Sequence, residues 1–284
     1  MFTSRNKNII FHSPIMGIVL LEVMVAIVIS LLLLNLMLIC YLAIKHNYQR
    51  QVVFNTLQKK EAIVSRILWK DIHLTGYIGC VSLGNEFSAL SHVQEALSFD
   101  NKIHGDAHTF TTCHAEIPSA RLLNAMHSSS ILDVSATPVF YKDDVLLIVD
   151  CQHAEIFTVK MLTRSKYAQH VETNAPLQHH YSTSAEVSRL VKSFYFIAKT
   201  DRKDSNGAWV YSLYKKNIYR ENIELLDGIS QMDVRYVIKR GDSVMQAQSS
   251  AIHAKEKVIG VSICLLLHGY SLQSPWCLYV PLQG

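Results

Sequence analysis

One segment constrains the fold of this chain before any other. From Ile18 to Leu42 it reads IVLLEVMVAIVISLLLLNLMLICYL, and Glu22 is its only charge. About 20 consecutive apolar residues suffice for a helix to cross the hydrocarbon core of a bilayer. The run accounts for the slightly positive mean hydropathy of the 284 residues, +0.15. No second such run follows, which predicts a single-pass membrane protein with one large water-facing portion. The flank before the run carries Arg5 and Lys7 and no acid. By the positive-inside rule this end stays in the cytoplasm and the C-terminal bulk is exported.

A secretory signal peptide is the first alternative. It would have an apolar core of about 7–15 residues followed by a small-residue cleavage site. Here the run is longer and no A-x-A site follows. A plain signal anchor is the second alternative, and Glu22 weighs against it. A carboxylate within an apolar membrane helix is costly, and such residues mark functional sites by default. The left-alone reading of Glu22 is a protonated side chain, or one that reaches back to the headgroups.

The helix is expected to continue past the membrane. Between Lys45 and Asp71 there is neither Pro nor Gly. Val53, Leu57, Val64, Leu68 and Ile72, with Phe54 and Ile67 alongside, recur at multiples of three and four, which puts them on one face. Gln49, Arg50, Lys59 and Lys60 fall largely elsewhere. One helix is therefore predicted from about Ile18 to about His73, ended by Gly76 and Gly79.

These residues carry a resemblance. Gly17 followed by I-V-L-L-E-V-M-V-A-I resembles the processed N-terminus of type IV pilins and type II secretion pseudopilins. In that family a prepilin peptidase cuts after the Gly and methylates the new terminus. The resemblance implies a cut between Gly17 and Ile18 and gives Glu22 the role of the conserved Glu, which is thought to meet a neighbour's N-terminal amine during assembly. Opposite charges attract strongly at low dielectric. Ile18 stands where Phe or Met is usual, and no basic residue directly precedes Gly17. Cleavage would remove Arg5 and Lys7, leaving a mature chain of +2 from the full chain's +4.

The stretch from Arg66 to Cys80, R-I-L-W-K-D-I-H-L-T-G-Y-I-G-C, narrows the resemblance to PilW-type minor pilins, with His73 and Thr75 in place of Arg and Ala. Ser193–Ile197, Leu213–Lys215, Glu224–Met232 and Val258–Leu267 resemble later segments of that family in the same order. The resemblance implies an α+β, type IV pilin-like fold: residues 1–17 a leader, 18–44 the transmembrane half of a spine helix, 45–76 its amphipathic half, and 77–284 a β-rich head. It implies a non-enzymatic subunit that primes or caps a type IV pilus. Its partners would be the other minor pilins, the major pilin, the prepilin peptidase and the inner membrane, with no cofactor. The J-type pseudopilin of protein secretion, sharing the D-I-x-x-A/T-G and D-G-[VI] elements, is the nearest competitor. A tip adhesin or DNA receptor is another alternative, suggested by Lys215, Lys216 and Arg220 among Tyr211, Tyr214 and Tyr219. Strand alternation explains that pattern more simply, and the low charge disfavours nucleic acid as an obligatory partner.

The rest of the head reads as strands and turns. Ser193–Lys199 and Ala208–Tyr214 flank Asp204-Ser205-Asn206-Gly207, a hairpin signal because Asn and Gly tolerate positive φ. Met232–Lys239 and Ser243–Gln248 flank Arg240-Gly241-Asp242, read as a turn before it is read as an integrin tripeptide. Val145–Val149 and Glu155–Lys160 form a third pair, and Val258–Leu267 and Trp276–Val280 close the chain. Residues 85–136 are expected to be loop-rich.

Of six cysteines, Cys40 lies in the membrane helix. The other five face an oxidising compartment, where disulfides form. A bridge from Cys80 to Cys113 or Cys151 would tie the loop-rich region to the spine, at about 3–4 kcal/mol. Cys264 reads as a buried thiol. His104 and His108 have metal-ligand spacing but lack a second matched pair, so no metal site is expected, and these two with His114 in the same stretch and the adjacent His179 and His180 read as solvated loop histidines. No G-x-S-x-G, H-E-x-x-H or phosphate loop is present, and Asp143, Asp144, Asp201 and Asp204 read as turn residues. No catalytic residue is assigned.

Overall fold

A computed structural model of the chain describes residues 15–79, 90–93, 103–204, 206–219, 221–241, 243–248, 252, 257–267 and 275–282. The chain divides into two compact units, Met1–Lys59 and Lys60–Gly284. Helix α1 (Ile15–His73) runs unbroken for 59 residues. With no Pro or Gly between Ile18 and His73, every residue can join the i→i−4 ladder. Residues 20–56 are all exposed, and the apolar part of this segment is long enough to cross a membrane. Val53 and Phe54, expected on the packed face, are among the exposed residues.

The second unit contains the last turns of α1 and the strands. These are β1 (Leu90–Ser91), β2 (His104–Gly105), β3 (Phe110–Ala115), β4 (Ala120–Arg121), β5 (Ile131–Ser135), β6 (Val145–Val149), β7 (Ala154–Arg164) and β8 (Ala168–Thr173). They continue with β9 (Glu186–Lys203), β10 (Trp209–Lys216), β11 (Asn222–Asp227), β12 (Ile229–Arg240), β13 (Ser243–Ala247), β14 (Lys257–Leu267) and β15 (Trp276–Pro281). Among the described residues, one sheet has the order β11-β10-β9-β6-β7-β8-β5, with β3 and β4 also on β9, β2 on β3 and β1 on β7. A second sheet has the order β13-β12-β14-β15. Apart from the short β1–β7 parallel contact, the pairings are antiparallel. The protein is thus α+β, with the end of an apolar N-terminal helix packed on antiparallel sheet.

Val64, Leu68 and Ile72 share a buried cluster with Tyr195, Leu213 and Leu226 of one sheet and Met232, Val234, Tyr236, Val261 and Ile263 of the other. Each fully buried aliphatic side chain contributes about 1.5–3 kcal/mol. This is the helix face that the 3–4 spacing predicts. Strand β6 is a continuous run, Val-Leu-Leu-Ile-Val, because it is covered on both sides. Leu146 and Ile148 enter one core, while Val145, Leu147 and Val149 enter another.

The hairpins form where the turn residues place them. Between β9 and β10, Asp204 Oδ1 accepts from the amides of Asn206 (2.9 Å) and Ala208 (2.8 Å), and Gly207 takes φ +81. Gly241, at φ +61, turns β12 into β13. Two expectations need correction. The stretch 85–136 holds β3, which pairs with β9 along its length and is buried at nearly every position. Its sequence, Phe-Thr-Thr-Cys-His-Ala, lacks the alternation by which a strand is read, since both faces are covered. Cys264 is not a thiol: it is bonded to Cys277, directly opposite it in the β14–β15 register, at a Cα–Cα distance of 4.1 Å.

Candidate functional site

Gly17 and Ile18 lie in the first turn of α1, and Glu22 is exposed one turn further on. Ile18 and Glu22 are four positions apart on the helix, a rise of about 6 Å. A cut before Ile18 would therefore place an amine and a carboxylate close together at one end of the apolar run. From Val23 to Ile44 no other charge follows. The local chemistry is a single acid near the start of a helix whose other side chains from Leu20 to Ile29 are exposed and apolar.

The other end of α1 is held by a buried polar cluster that sequence reading did not assemble. Asp71 is buried. Its Oδ2 accepts from Tyr195 Oη at 2.6 Å and from Lys215 Nζ at 2.6 Å. His114 Nε2 stands 3.7 Å from Oδ1, and its Nδ1 is 2.9 Å from the Ala115 carbonyl. Burial alone would raise the Asp71 pKa. His114, the Lys215 charge and the Tyr195 hydroxyl outweigh it and hold the carboxyl well below the usual range. The same burial and the Asp71 charge push the Tyr195 phenol well above its ordinary value. Tyr195 in turn stacks on Phe110, ring centres 4.6 Å apart.

The chain after α1 is stitched in by backbone. Thr75 Oγ1 donates to the Asp71 carbonyl at 2.8 Å, the Gly76 amide to Cys113 (2.9 Å) and the Ala115 amide to Tyr77 (2.7 Å). Gly76 and Gly79 take φ +86 and +111, the left-handed conformation expected where they end the helix. Lys60 adds an ion pair to Asp227 at 2.7 Å.

A second buried acid, Glu155 on β7, is wholly inaccessible. It accepts from His92 Nε2 (2.5 Å), the amides of Gln178 and His179 (2.8 Å each), His179 Nδ1 (2.9 Å) and Tyr181 Oη (3.2 Å). Burial opposes ionisation, but these donors prevail and lower its pKa. All the acceptor sites of such a carboxylate are thereby occupied. Asp71 and Glu155 are anchors, each gathering segments distant in sequence.

The residues singled out from sequence fare differently. Cys80 lies outside the described residues. Cys113 is buried on β3 with its carbonyl bound to Gly76, beside the end of α1, and Cys151 carries an exposed thiol between β6 and β7. Two histidines depart from the expected solvated loop setting: His114 is buried facing Asp71, and His179, half-buried, binds Glu155. Lys215 turns inward to Asp71, so it leaves the basic–aromatic surface pattern, and Arg220 lies outside the described residues. Asp144, read as a turn residue, also receives Arg189 Nε at 2.8 Å. Among the described residues no three His, Cys, Asp or Glu side chains converge as metal ligands.

An open cleft of about 780 Å³ lies over β7 and β8, lined by Tyr141, Lys142, Lys160, Met161, Leu162, Arg164 and Glu172. Two of its three cations are engaged, Lys160 with Glu172 and Arg164 with the Phe140 carbonyl and the Tyr141 ring. The chain matches no family model, no curated protein and no solved structure.

Proposed function

We propose that this protein is a minor pilin of the PilW type, a structural subunit that takes part in starting or capping a type IV pilus. One observation carries the reading: a 59-residue helix that begins as an exposed apolar segment with a single acid, Glu22, near its start and ends packed on an antiparallel β head. In this reading a peptidase cuts between Gly17 and Ile18. The apolar half holds the subunit in the inner membrane, with the N-terminus cytoplasmic and the head periplasmic. Glu22 then pairs with the N-terminal amine of an adjacent subunit, each charge offsetting the other's desolvation. The pairing fixes the axial register as the helix leaves the membrane for the pilus.

Two measurements test this. Mass spectrometry of the mature protein should find an N-methylated Ile18 as first residue. Glu22→Ala in the native host should abolish or strongly reduce surface pili, with the protein still present in the membrane. An intact Met1 terminus together with normal piliation in the variant would defeat the reading.

A further inference from the structure

In the middle of the apolar segment, between Val23 and Ile39, one polar group is left over. From Val23 to Ile39 the polar side chains are Ser30 and Asn35. Ser30 satisfies its hydroxyl inside the helix, donating to the Ala26 carbonyl at 2.8 Å. The Asn35 carboxamide is exposed on α1 and has no hydrogen-bond partner among the described residues. In water this would be ordinary. In hydrocarbon, two N–H donors and a carbonyl oxygen lie without partners, and a polar side chain there is drawn to another helix. Asn35 sits five residues past the middle of the run from Ile18 to Leu42, about 7 Å from its centre and too deep for so short a side chain to reach the headgroups.

We propose that Asn35 pairs two copies of this chain in the membrane, amide to amide, in a parallel dimer of apolar helices. The occupant follows from chemistry and topology. A carboxamide is self-complementary, since the N–H of one can donate to the C=O of the other and the reverse. Copies of a single-pass chain insert in the same direction, so the two Asn35 side chains meet at the same depth. The residues that share its face at heptad spacing are Leu21, Met24, Val28, Leu31, Leu38 and Leu42. They form an apolar seam around one central Asn, an arrangement known to set register and two-stranded pairing in coiled coils. Glu22 and Cys40 lie off that seam, so the pairing leaves Glu22 free for a different neighbour. The proposal rests on the membrane-crossing part of the reading above and not on pilus assembly.

The test uses the full chain in bacterial inner membranes, with Cys151→Ser to remove the exposed head thiol. One form keeps Cys40, about 140° around the helix from Asn35; another carries Cys40→Ala and Leu42→Cys, which moves the thiol to the seam at nearly the same depth. A Cys40→Ala form supplies the background. Oxidation should yield disulfide-linked homodimer from the Leu42→Cys form and not from the Cys40 form. Asn35→Leu should weaken association about 3- to 30-fold, and Asn35→Gln should restore most of it. Equal cross-linking of the two thiol positions overturns the proposal. So does an Asn35→Leu chain that dimerises like its parent, or cross-linking only to a different protein. If Asn35→Leu does not accumulate, the contrast between the two thiol positions still decides. Extraction of the chain by alkaline carbonate would refute membrane insertion itself, whereas an integrated chain indifferent to Asn35 would refute the pairing alone.

Discussion

Replacing Asp71 by Ala should cost far more than its surface share suggests. The Asp71 side chain is 6% exposed and Lys215 is 17% exposed. Removal leaves a largely enclosed ammonium without its counter-ion, and breaking a buried pair on one side costs about 3–5 kcal/mol. The Tyr195 hydroxyl is orphaned as well, worth about 1–3 kcal/mol on its own. Lys215 retains some access to water, so the two do not add in full, and a loss of about 4 kcal/mol is expected. The double variant Asp71→Ala/Lys215→Met removes the stranded charge and should recover about half of that.

The pH dependence has a definite sign. The folded carboxyl titrates below the usual range. Its contribution is therefore complete above the unfolded value near 3.9 and fades as pH falls from there toward the depressed folded value. The gap between parent and Asp71→Ala should be constant above about pH 5 and close below about pH 4. Urea unfolding of the full chain in detergent, followed by near-ultraviolet circular dichroism, measures both. A loss under about 1 kcal/mol, or a double variant less stable than Asp71→Ala, would refute the idea that this cluster holds the helix to the sheet.

Other perturbations follow the same logic. Glu155→Gln should destabilise the head by about 2–4 kcal/mol, because two histidines, Tyr181 and two backbone amides lose a charged acceptor; the gap measured by denaturant unfolding should shrink as pH drops below the ordinary Glu range. Leu68→Ala, at a fully buried position of α1, should cost about 2–5 kcal/mol and lower the thermal midpoint, while Val53→Ala should leave it within experimental error. Cys277→Ser opens the 13-residue link to Cys264 and should cost about 3 kcal/mol, an effect that reductant reproduces in the parent and not in the variant.

Several elements were legible from the chain alone because their causes are local. The extent of α1 follows from an uninterrupted i→i−4 ladder, its apolar half from composition and its buried face from 3–4 spacing at Val64, Leu68 and Ile72. The turns at Gly207 and Gly241 follow from residues that accept positive φ. Strand β3 was not legible, because burial on both faces erases the alternation that marks a strand.

The polar anchors belong to the tertiary structure. Tyr195 and Lys215 stand 124 and 144 residues from Asp71, and Glu155 gathers His92 and Tyr181 from either side of β7. No periodicity couples such positions; only the sheet register brings their side chains together and removes the water that would otherwise satisfy them. The same register decided Cys264 against Cys277, since cysteine pairing depends on which strands lie side by side. Sequence by itself determined that one long helix contains an apolar run, Ile18–Leu42, bearing a single acid, and local backbone physics needs nothing more. The fold decided which charges end up buried and with which partners, because desolvation is a property of packing and not of order along the chain.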